Sequence, residues 1–234
     1  MSEPTPAAEL RVMTYNVRSL RDDVTALASI VRAADPDVVL VQEAPRFLRW
    51  RSKRAALARR CGLVVATADR PGGLCILVAL RVDVLGTTFT MLPRLPGHHQ
   101  RVAVGAILRR AGQRWRVLDL HLSTDPAERE RHVPLLVELV GEDTDPPLVV
   151  GGDINDVAGS PAYSVFSERM QDCFAVAGAG SGATAPARTP QRRIDAVFAG
   201  PAVDVVACEV LAPPSATRAS DHLPVLAVLR QHSG

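Results

Sequence analysis

The sequence is poor in lysine, in aromatic residues and in long apolar runs. Lys53 is the only lysine among 27 basic residues, and 25 acidic residues nearly balance them, which leaves a net charge of +2. Nucleic-acid-binding proteins usually carry a larger basic excess or a basic face, so this charge neither demands nor excludes such a partner. Aromatic residues make up only 4% of the chain, which leaves few platforms for stacking bases.

The chain also lacks targeting and cysteine motifs. No apolar run is long enough to cross a bilayer, and the first residues, MSEPTPAAEL, lack the charged start and apolar core of a signal peptide. We therefore expect a cytoplasmic protein with no transmembrane segment. The cysteines form no C-x-x-C pair, which predicts neither a zinc site nor a disulfide framework but small buried apolar residues. They are Cys61, Cys75, Cys173 and Cys208.

The length and composition are those of one soluble domain. With 234 residues, 47% of them hydrophobic, the chain can bury a substantial core. We expect residues 1–9 to form a flexible tail and residues 10–234 a single domain. Short valine-rich runs separated by turn residues predict strands with helices between them, and hence an α/β or α+β fold. These runs are LRVMTYNV, DVVLVQE, LVVAT, LCILVAL, VAVGAIL, WRVLDLHL, PLVVGGD, RIDAVFA and HLPVLAVL.

Three helices and one long loop are predicted between the strands. Asp22–Ala34 and Arg46–Arg60 carry apolar residues at helical spacing. A third helix starts at Asp125–Pro126, where a capping residue precedes a proline, and Pro134 further along predicts a kink or a later start. Ala177–Gln191 is rich in Gly, Ala and Pro without periodicity, which predicts a loop.

Several of the apolar runs finish in a residue that catalysis could use. They are Asn16, Glu43, His121, Asp153, Asn155, Asp195, Asp221 and His222. Taken alone, each has an ordinary structural explanation, and GDIN is more typical of a turn in which Asp bonds its own backbone than of a ligand set. Together they indicate a site, because carboxylates, histidines and amides around a buried sheet need an ion to satisfy them.

Oxygen donors of this kind suit metal-assisted hydrolysis. Mg²⁺ is often bound by only one or two carboxylates and keeps several waters, a role that Glu43 fits. Asp153 and Asn155 are two residues apart, so in extended backbone their side chains project to the same side, where one can deprotonate a water and the other can position it. Asp221 and His222 are adjacent, so we expect them where the backbone bends before a strand.

The ordered set TYNV, PDVVLVQE, LHL, GGDIN, RRIDAVF and SDHLP resembles the endonuclease/exonuclease/phosphatase superfamily, the deoxyribonuclease I-like metal-dependent phosphoesterases. The resemblance spans about Leu10 to Leu229. It implies a four-layer sandwich, in which two mixed β-sheets pack face to face and helices cover the outside. It also implies Mg²⁺- or Mn²⁺-dependent hydrolysis of a phosphoester by in-line attack of water at phosphorus.

On the metal and water side, the resemblance implies roles for five residues. Glu43 is the main metal ligand, with Asn16 beside it and Asp221 assisting. Asp153 activates the attacking water, and Asn155 positions it. The two glycines of GGDIN are expected to let the backbone approach the phosphate closely.

On the substrate side, the resemblance implies that His222 binds the phosphate and is oriented by Asp195. His121 matches a second position near the phosphate. Arg101 and Thr184 match positions at which many members contact the phosphate or the substrate.

The substrate stays open between a phosphorylated small molecule or lipid headgroup and a nucleic acid cleaved by an endonuclease or exonuclease. The near-neutral charge and modest length favour a smaller substrate, and no obligate protein partner is evident. LDLHLST lacks the tyrosine-and-asparagine segment of members active on abasic sites, and Ala185 stands where an aromatic residue often follows the threonine. A third alternative is a catalytically silent module that binds a phosphorylated ligand, but such a module has little need for a water-activating carboxylate at Asp153.

The most basic segment, RFLRWRSKRAALARR, also has two interpretations. Arg46–Arg60 could follow a nucleic-acid backbone with Phe47 and Trp50 contacting bases. The interpretation we favour is an amphipathic helix with a solvated arginine face, in which Phe47, Leu57 and part of Trp50 pack inward.

Overall fold

The computed structural model describes residues 9–67, 71–141 and 145–232. The tail expected at residues 1–9 lies outside these ranges except for Glu9. Across the described ranges, no helix combines the length and the apolar character needed to span a membrane.

Two mixed β-sheets of six strands each make up the centre of the described structure. The strands are β1 (Leu10–Asn16), β2 (Val38–Gln42), β3 (Val64–Val65), β4 (Cys75–Val78), β5 (Val82–Met91), β6 (Val102–Arg110), β7 (Gln113–His121), β8 (Leu148–Asp153), β9 (Gln171–Asp172), β10 (Asp195–Ala199), β11 (Val203–Val210) and β12 (Val225–Gln231). The first sheet has the order β11-β12-β1-β2-β4-β3, and the second has the order β5-β6-β7-β8-β10-β9.

Helices cover the outer faces of both sheets. They are α1 (Val24–Ala34), α2 (Trp50–Cys61), α3 (Pro126–Val140), α4 (Pro161–Ser167), α5 (Cys173–Ala177) and α6 (Ala216–Ala219). One core lies between the two sheets, where Leu40 and Ile76 of the first sheet join Val117 and Val149 of the second. Two further cores pack α1, α2 and α6 on the first sheet and α3 and α4 on the second. The predicted four-layer sandwich is confirmed.

Parallel pairs at the centre of each sheet bring the candidate residues to one end. β1 runs parallel to β2, with Asn16 opposite Gln42, and β7 runs parallel to β8, with His121 opposite Asp153. Because parallel strands finish at the same edge, the polar residues that end these strands are collected there.

The helix starts follow their capping residues. Asp23 caps α1 by accepting hydrogen bonds from the backbone N–H groups of Thr25 and Ala26, so the helix begins two residues later than predicted. Asp125 caps α3, which begins at Pro126 as predicted and continues through Pro134 to Val140, so the later start did not occur. Loss of the Pro134 N–H is tolerated inside an otherwise continuous helix.

The segment predicted as a helix from Arg46 to Arg60 is helical only from Trp50. Arg49 adopts a left-handed conformation with φ 61°, which separates the preceding residues from the helix. Leu57 is buried as expected, but Phe47 is 69% exposed, so the expectation that it packs inward was wrong. Phe47 and the neighbouring Leu48 are instead exposed apolar side chains just before α2.

Three strands escaped the sequence analysis because they lie at sheet edges or are very short. β5 and β11 are edge strands with mostly exposed residues and a β-bulge each, which obscures the alternation that marks a half-buried strand. β9 has only two residues. The prediction for the cysteines is confirmed, since all four are buried and unpaired.

Candidate active site

Asp153, the last residue of β8, is the hub of the polar cluster at the ends of the strands. Its carboxylate is 1% exposed. Oδ2 accepts a hydrogen bond from Asn16 Nδ2 at 3.0 Å and lies 3.4 Å from His121 Nε2 and 3.8 Å from His222 Nε2. One carboxylate oxygen thus contacts residues from β1, β7 and the segment before β12.

The other oxygen of Asp153 organises the turn that follows. Oδ1 accepts a hydrogen bond from the backbone N–H of Asn155 at 3.0 Å, and Asn155 has φ 55°. Its side-chain Nδ2 donates to the carbonyl of Leu122 at 3.0 Å. The turn interpretation of GDIN is therefore confirmed for Oδ1, while Oδ2 faces the polar cluster.

The two glycines before Asp153 allow close packing of the strands, a role that differs from the expected approach to the phosphate. A Cβ on Gly151 would lie 2.7 Å from Leu40 Cδ1, and one on Gly152 would lie 2.0 Å from the carbonyl oxygen of Leu120. The first contact is between the two sheets, and the second is with the neighbouring strand β7. Close packing of strands therefore accounts for both glycines, whereas we expected the phosphate to require them.

Asp195 and His222 form a hydrogen-bonded pair next to Asp153. His222 Nδ1 lies 2.8 Å from Asp195 Oδ2. Asp195 begins β10, directly opposite Asp153 in the antiparallel register. Asp195 Oδ1 is buried and finds no hydrogen-bond partner within the described part of the chain.

Thr184 supports this pair from behind. It is fully buried, and its hydroxyl oxygen accepts from the backbone N–H groups of Ile194 and Asp195 at 3.3 Å each. The structure thus places Thr184 against the start of β10, where it holds Asp195, and not on an open surface facing a ligand.

The balance of burial and neighbouring charges raises the pKa values of His222 and Asp153 and lowers that of His121. Burial opposes protonation of His222, but the hydrogen bond to Asp195 and the charges of Asp195, Asp153 and Asp221 outweigh it and raise the pKa of His222 to about 9. Burial and repulsion from Asp195 raise the pKa of Asp153 to about 7, against the charge of His222. Burial, followed by the charge of Arg101, lowers the pKa of His121 well below its usual range. A cationic His222 thus faces a neutral His121 across Asp153.

Glu43 and Asn16 form the other side of the cluster. Asn16 Nδ2 donates to Glu43 Oε1 at 3.2 Å as well as to Asp153. Glu43 directly follows β2 and has φ 51°, which turns the chain sharply at the end of the strand. Asp221 is not bound to this pair, because its Oδ2 forms an ion pair with Arg18 Nε at 3.2 Å.

A left-handed turn after Asn16, at Arg18, Ser19 and Leu20, was not foreseen. Their φ angles are 45°, 56° and 57°, a conformation that L-residues rarely adopt in succession. The turn is held by hydrogen bonds from the Arg18 N–H to Asn16 Oδ1 and from the Ser19 N–H to the Glu43 carbonyl, both at 3.0 Å. Strained backbone of this kind clusters at functional sites, but no glycine marked it in the sequence.

Arg129 is a second residue that the sequence analysis missed. It lies on α3 and is 8% exposed. Its Nε donates to Asp156 Oδ2 and its Nη1 to the Ser123 carbonyl, both at 2.9 Å. Arg129 therefore connects the turn after Asp153 to the segment after His121. Its place in an arginine-rich helix gave no signal of this.

Oxygen donors in the cluster fit a divalent cation. Among the described residues, one group of three, Asp153, Asp195 and His222, brings potential ligand atoms within 4.8 Å of one another. In this group, however, Asp195 Oδ2 and His222 Nδ1 already satisfy each other. Glu43 and the side-chain oxygen of Asn16 offer the hard donors that Mg²⁺ prefers, next to buried carboxylates whose charge a cation would offset.

The comparison with protein families agrees with the resemblance in the motifs. The family model described as Endonuclease/Exonuclease/phosphatase family matches residues 13–222. A comparison with curated protein sequences gave no match.

Solved structures share the fold of the whole chain at low sequence identity. A Bacteroides thetaiotaomicron endonuclease/exonuclease/phosphatase family protein superposes with TM-score 0.82 at 19% identity, covering 98% of this chain and 100% of that one. The mannosyl-6-phosphatase from B. thetaiotaomicron gives TM-score 0.79 at 19% identity, covering 94% and 99%. D. rerio TDP2 in complex with a single-strand DNA product gives TM-score 0.76 at 17% identity, covering 96% and 100%. At these identities the likeness establishes the fold alone.

Proposed function

The chain belongs to the endonuclease/exonuclease/phosphatase family, and we propose that it is a Mg²⁺- or Mn²⁺-dependent phosphoester hydrolase acting on a phosphorylated small molecule. The observation that carries this proposal is the position of Asp153. A buried carboxylate that contacts His222, His121 and Asn16 at once, at the common end of four central strands, is arranged for proton transfer beside an anion.

Asp153 is the general base. Its raised pKa of about 7 matches the task of taking a proton from water near neutral pH. The backbone N–H of Asn155 donates to Asp153 Oδ1 and so fixes the orientation of the carboxylate. The side chain of Asn155 donates to the Leu122 carbonyl and lies in the same turn. The proton leaves the attacking water for Asp153 Oδ2 as the oxygen approaches phosphorus in line with the leaving group.

His222 holds the phosphoryl group. As an imidazolium fixed by Asp195, it donates a charge-assisted hydrogen bond from Nε2 to a phosphoryl oxygen. His121 stays neutral and can offer a second, uncharged hydrogen bond. Thr184 positions Asp195 and does not itself contact the substrate.

Glu43 and Asn16 would hold the divalent cation, with Asp221 in reach only after its ion pair with Arg18 opens. A bound cation supplies Lewis-acid stabilisation of the charge on the phosphoryl and leaving oxygens. We favour Glu43 over the group formed by Asp153, Asp195 and His222, because a cation there would have to displace the His222 proton.

Two features favour a small substrate, and two others favour a nucleic acid. The near-neutral net charge gives little general attraction for a polyanion, and one structural neighbour is a mannosyl-6-phosphatase. Nuclease activity is the second candidate, because exposed Phe47 lies beside several arginines and another neighbour was solved with a single-strand DNA product. A silent binding module is disfavoured by the raised pKa of Asp153, which pure binding does not need.

The test is hydrolysis of small phosphomonoesters and phosphodiesters, plasmid DNA and single-stranded DNA, with Mg²⁺, Mn²⁺ or EDTA. We expect turnover of at least one small phosphoester that EDTA abolishes and that falls by about 10²-fold or more in Asp153→Asn. The exposed Asp83, ion-paired with Arg109, provides the matched control Asp83→Asn. Hydrolysis that survives EDTA, or that Asp153→Asn leaves intact, would refute the proposal, and turnover of DNA alone would favour the second candidate.

A further inference from the structure

The candidate active site is assembled from two separate sheets. Asn16 ends β1 and Glu43 follows β2, both in the first sheet, whereas His121 ends β7 and Asp153 ends β8 in the second. Glu43 and His121 meet at the mouth of the site, which Arg101 also lines. The distance between the proposed cation at Glu43 and the base Asp153 therefore depends on what holds the two sheets together.

A hydrogen bond between two buried side chains crosses from one sheet to the other below the site. Gln42, the last residue of β2, donates from Nε2 to Oδ1 of Asp119 on β7 at 2.6 Å, and neither side chain is exposed to solvent. Gln42 directly precedes Glu43, and Asp119 lies two residues before His121, on the same face of β7. The bond thus links the neighbour of the proposed metal ligand to the strand that carries His121.

The amide of Gln42 is held in one orientation. Its Oε1 accepts from Thr14 Oγ1 at 3.2 Å, and its Nε2 also donates to the carbonyl of Leu40 at 3.0 Å. Because a carbonyl and a carboxyl oxygen both face Nε2, the nitrogen must lie on that side. The amide is bonded to β1, to its own strand and to β7, so it cannot rotate without losing a hydrogen bond.

The two sheets approach each other closely beside this hydrogen bond. Gly151 of β8 lies opposite Asp119 in the parallel register, and a Cβ at Gly151 would lie 2.7 Å from Leu40 Cδ1. Leu40 and Gln42 are two residues apart in β2, so their side chains project from the same face towards the second sheet. Apolar packing at Leu40 and the hydrogen bond at Gln42 therefore set the spacing of the sheets directly below the site.

Burial of Asp119 is unfavourable for stability. Its Oδ2 has no hydrogen-bond partner among the residues that the structure describes. Burial raises the pKa of Asp119 well above its usual range, against the hydrogen bond from Gln42. A leucine of similar size would avoid the cost of burying a carboxyl group. The geometry that Asp119 imposes, and not a gain in stability, accounts best for a carboxyl group at this position.

We propose that Gln42 and Asp119 are positioning residues for the proposed hydrolysis, and that the hydrogen bond between them keeps the two halves of the active site at the distance the reaction needs. One half is Glu43 with its cation, and the other is Asp153 with the attacking water. Neither Gln42 nor Asp119 contacts the substrate. A displacement of about 1 Å between reacting groups can lower the rate by about 10²-fold. This inference rests on the proposed function for the roles of Glu43 and Asp153.

Two substitutions of Asp119 test the proposal. Asp119→Leu removes the acceptor, whereas Asp119→Asn keeps an acceptor oxygen and resembles an uncharged carboxyl group. We expect Asp119→Leu to lower kcat by about tenfold or more with little change in KM, because His222 still binds the phosphate. Its Tm should stay close to the native value, because no carboxyl group is buried and Gln42 keeps its bonds to Thr14 and Leu40. Asp119→Asn should retain most of the native kcat.

The same hydrogen bond can be broken from the first sheet. Gln42→Met removes the donor and should lower kcat as Asp119→Leu does, and it replaces that variant if Asp119→Leu does not fold. The matched control is Gln171→Met. Gln171 Nε2 donates to the carbonyls of Gly200 and Val203, at the ends of β8 and β10 farthest from Asp153. Gln171→Met should therefore lower Tm and leave kcat unchanged.

Binding of inorganic phosphate gives a measurement that needs no turnover. Phosphate at His222 and a cation at Glu43 stabilise each other only when the two halves of the site are aligned. In calorimetric titrations, we expect Mg²⁺ to lower the Kd for phosphate by about tenfold in the native protein and in Asp119→Asn. In Asp119→Leu the same Mg²⁺ should lower it by about threefold or less.

The outcomes separate this proposal from the proposed function. Native kcat and a native effect of Mg²⁺ on phosphate binding in folded Asp119→Leu, or equal losses in Asp119→Leu and Asp119→Asn, overturn the positioning role even where phosphoesters are hydrolysed. An effect of Mg²⁺ that Asp119→Leu loses and Asp119→Asn keeps, in a protein that hydrolyses no phosphoester, supports the positioning role and overturns the proposed function. A native protein with neither hydrolysis nor an effect of Mg²⁺ on phosphate binding overturns both.

Discussion

The Nδ1 atom of His222 lies 2.8 Å from Oδ2 of Asp195; Asp195 is buried and His222 is partly buried. The pair keeps His222 cationic near neutral pH, and the same Asp195 charge raises the pKa of Asp153. One carboxylate therefore sets the protonation of both the acid and the base in the proposed reaction.

Replacing Asp195 with asparagine should move the whole pH–rate profile to lower pH. Activity needs Asp153 deprotonated and His222 protonated, so in the native protein it rises through about pH 7 and falls through about pH 9. Asp195→Asn removes the charge that raises both pKa values, so both limbs shift in the same direction, and kcat falls as His222 loses its orientation. The measurement is kcat/KM from pH 5 to 10.

The control for this prediction is Asp204→Asn. Asp204 is exposed and pairs with Arg230 and His232 far along β11 and β12, so its removal should leave both limbs in place. A profile of Asp195→Asn that is merely scaled down, with unchanged limbs, would contradict the assignment of the pair.

Glu43→Gln should abolish the rise in Tm that Mg²⁺ or Mn²⁺ produces. A cation that binds only the folded protein raises its stability by mass action, and Gln lacks the charge that holds the cation. Asp195→Asn should keep most of the rise, because Asp195 is bound to His222 and is not one of the proposed ligands. The measurement is thermal unfolding of both variants without metal and at several metal concentrations. A rise in Tm that Glu43→Gln keeps and Asp195→Asn loses would locate the cation in the group formed by Asp153, Asp195 and His222.

Arg129→Met should lower both stability and kcat. It leaves the partly buried Asp156 carboxylate without its arginine partner and the Ser123 carbonyl without a donor, at a cost of about 2 kcal/mol in the free energy of unfolding. The freed turn no longer fixes Asn155 beside Asp153, so kcat should fall by about tenfold or more. Urea unfolding and steady-state kinetics measure the two effects, and Arg131→Met on the exposed side of α3 should change neither.

Residues at strand ends could be predicted from the sequence, whereas contacts between distant side chains could not. Asn16, Glu43, His121 and Asp153 follow apolar runs, and parallel pairing necessarily brings such ends together. The buried position of Thr184 depends on the path of a long loop, and the ion pair between Arg18 and Asp221 depends on a left-handed turn without glycine. Neither has a local pattern, because both are set by tertiary packing.

The strands and helices also divide into those that a local sequence pattern predicts and those that it does not. Strands with a buried face were predicted within a few residues, since burial imposes a pattern on the sequence. The edge strand β5 has exposed residues on both faces, and nothing in its composition distinguishes it from a loop. Buried Asp119 was also unforeseen. Its carboxylate accepts from Gln42 Nε2 at 2.6 Å between the sheets, and burial raises its pKa well above the usual range.

Glu128→Gln should make the protein less sensitive to acid. Burial disfavours the Glu128 carboxylate, but hydrogen bonds from Ser123, Leu95 and His98 outweigh it and lower its pKa from 4.5 to about 2. A carboxylate with a lowered pKa in the folded state stabilises the protein above pH 4.5, and that contribution is lost as the pH falls towards 2. The variant should therefore be less stable at pH 7 and show a flatter dependence of the free energy of unfolding on pH between these values.

The neighbouring Glu130 offers the matched control, since it is exposed on the same helix. Glu130→Gln should keep the native slope of stability against pH in urea titrations from pH 2 to 7. A native slope in Glu128→Gln would show that the carboxylate is not held by these hydrogen bonds.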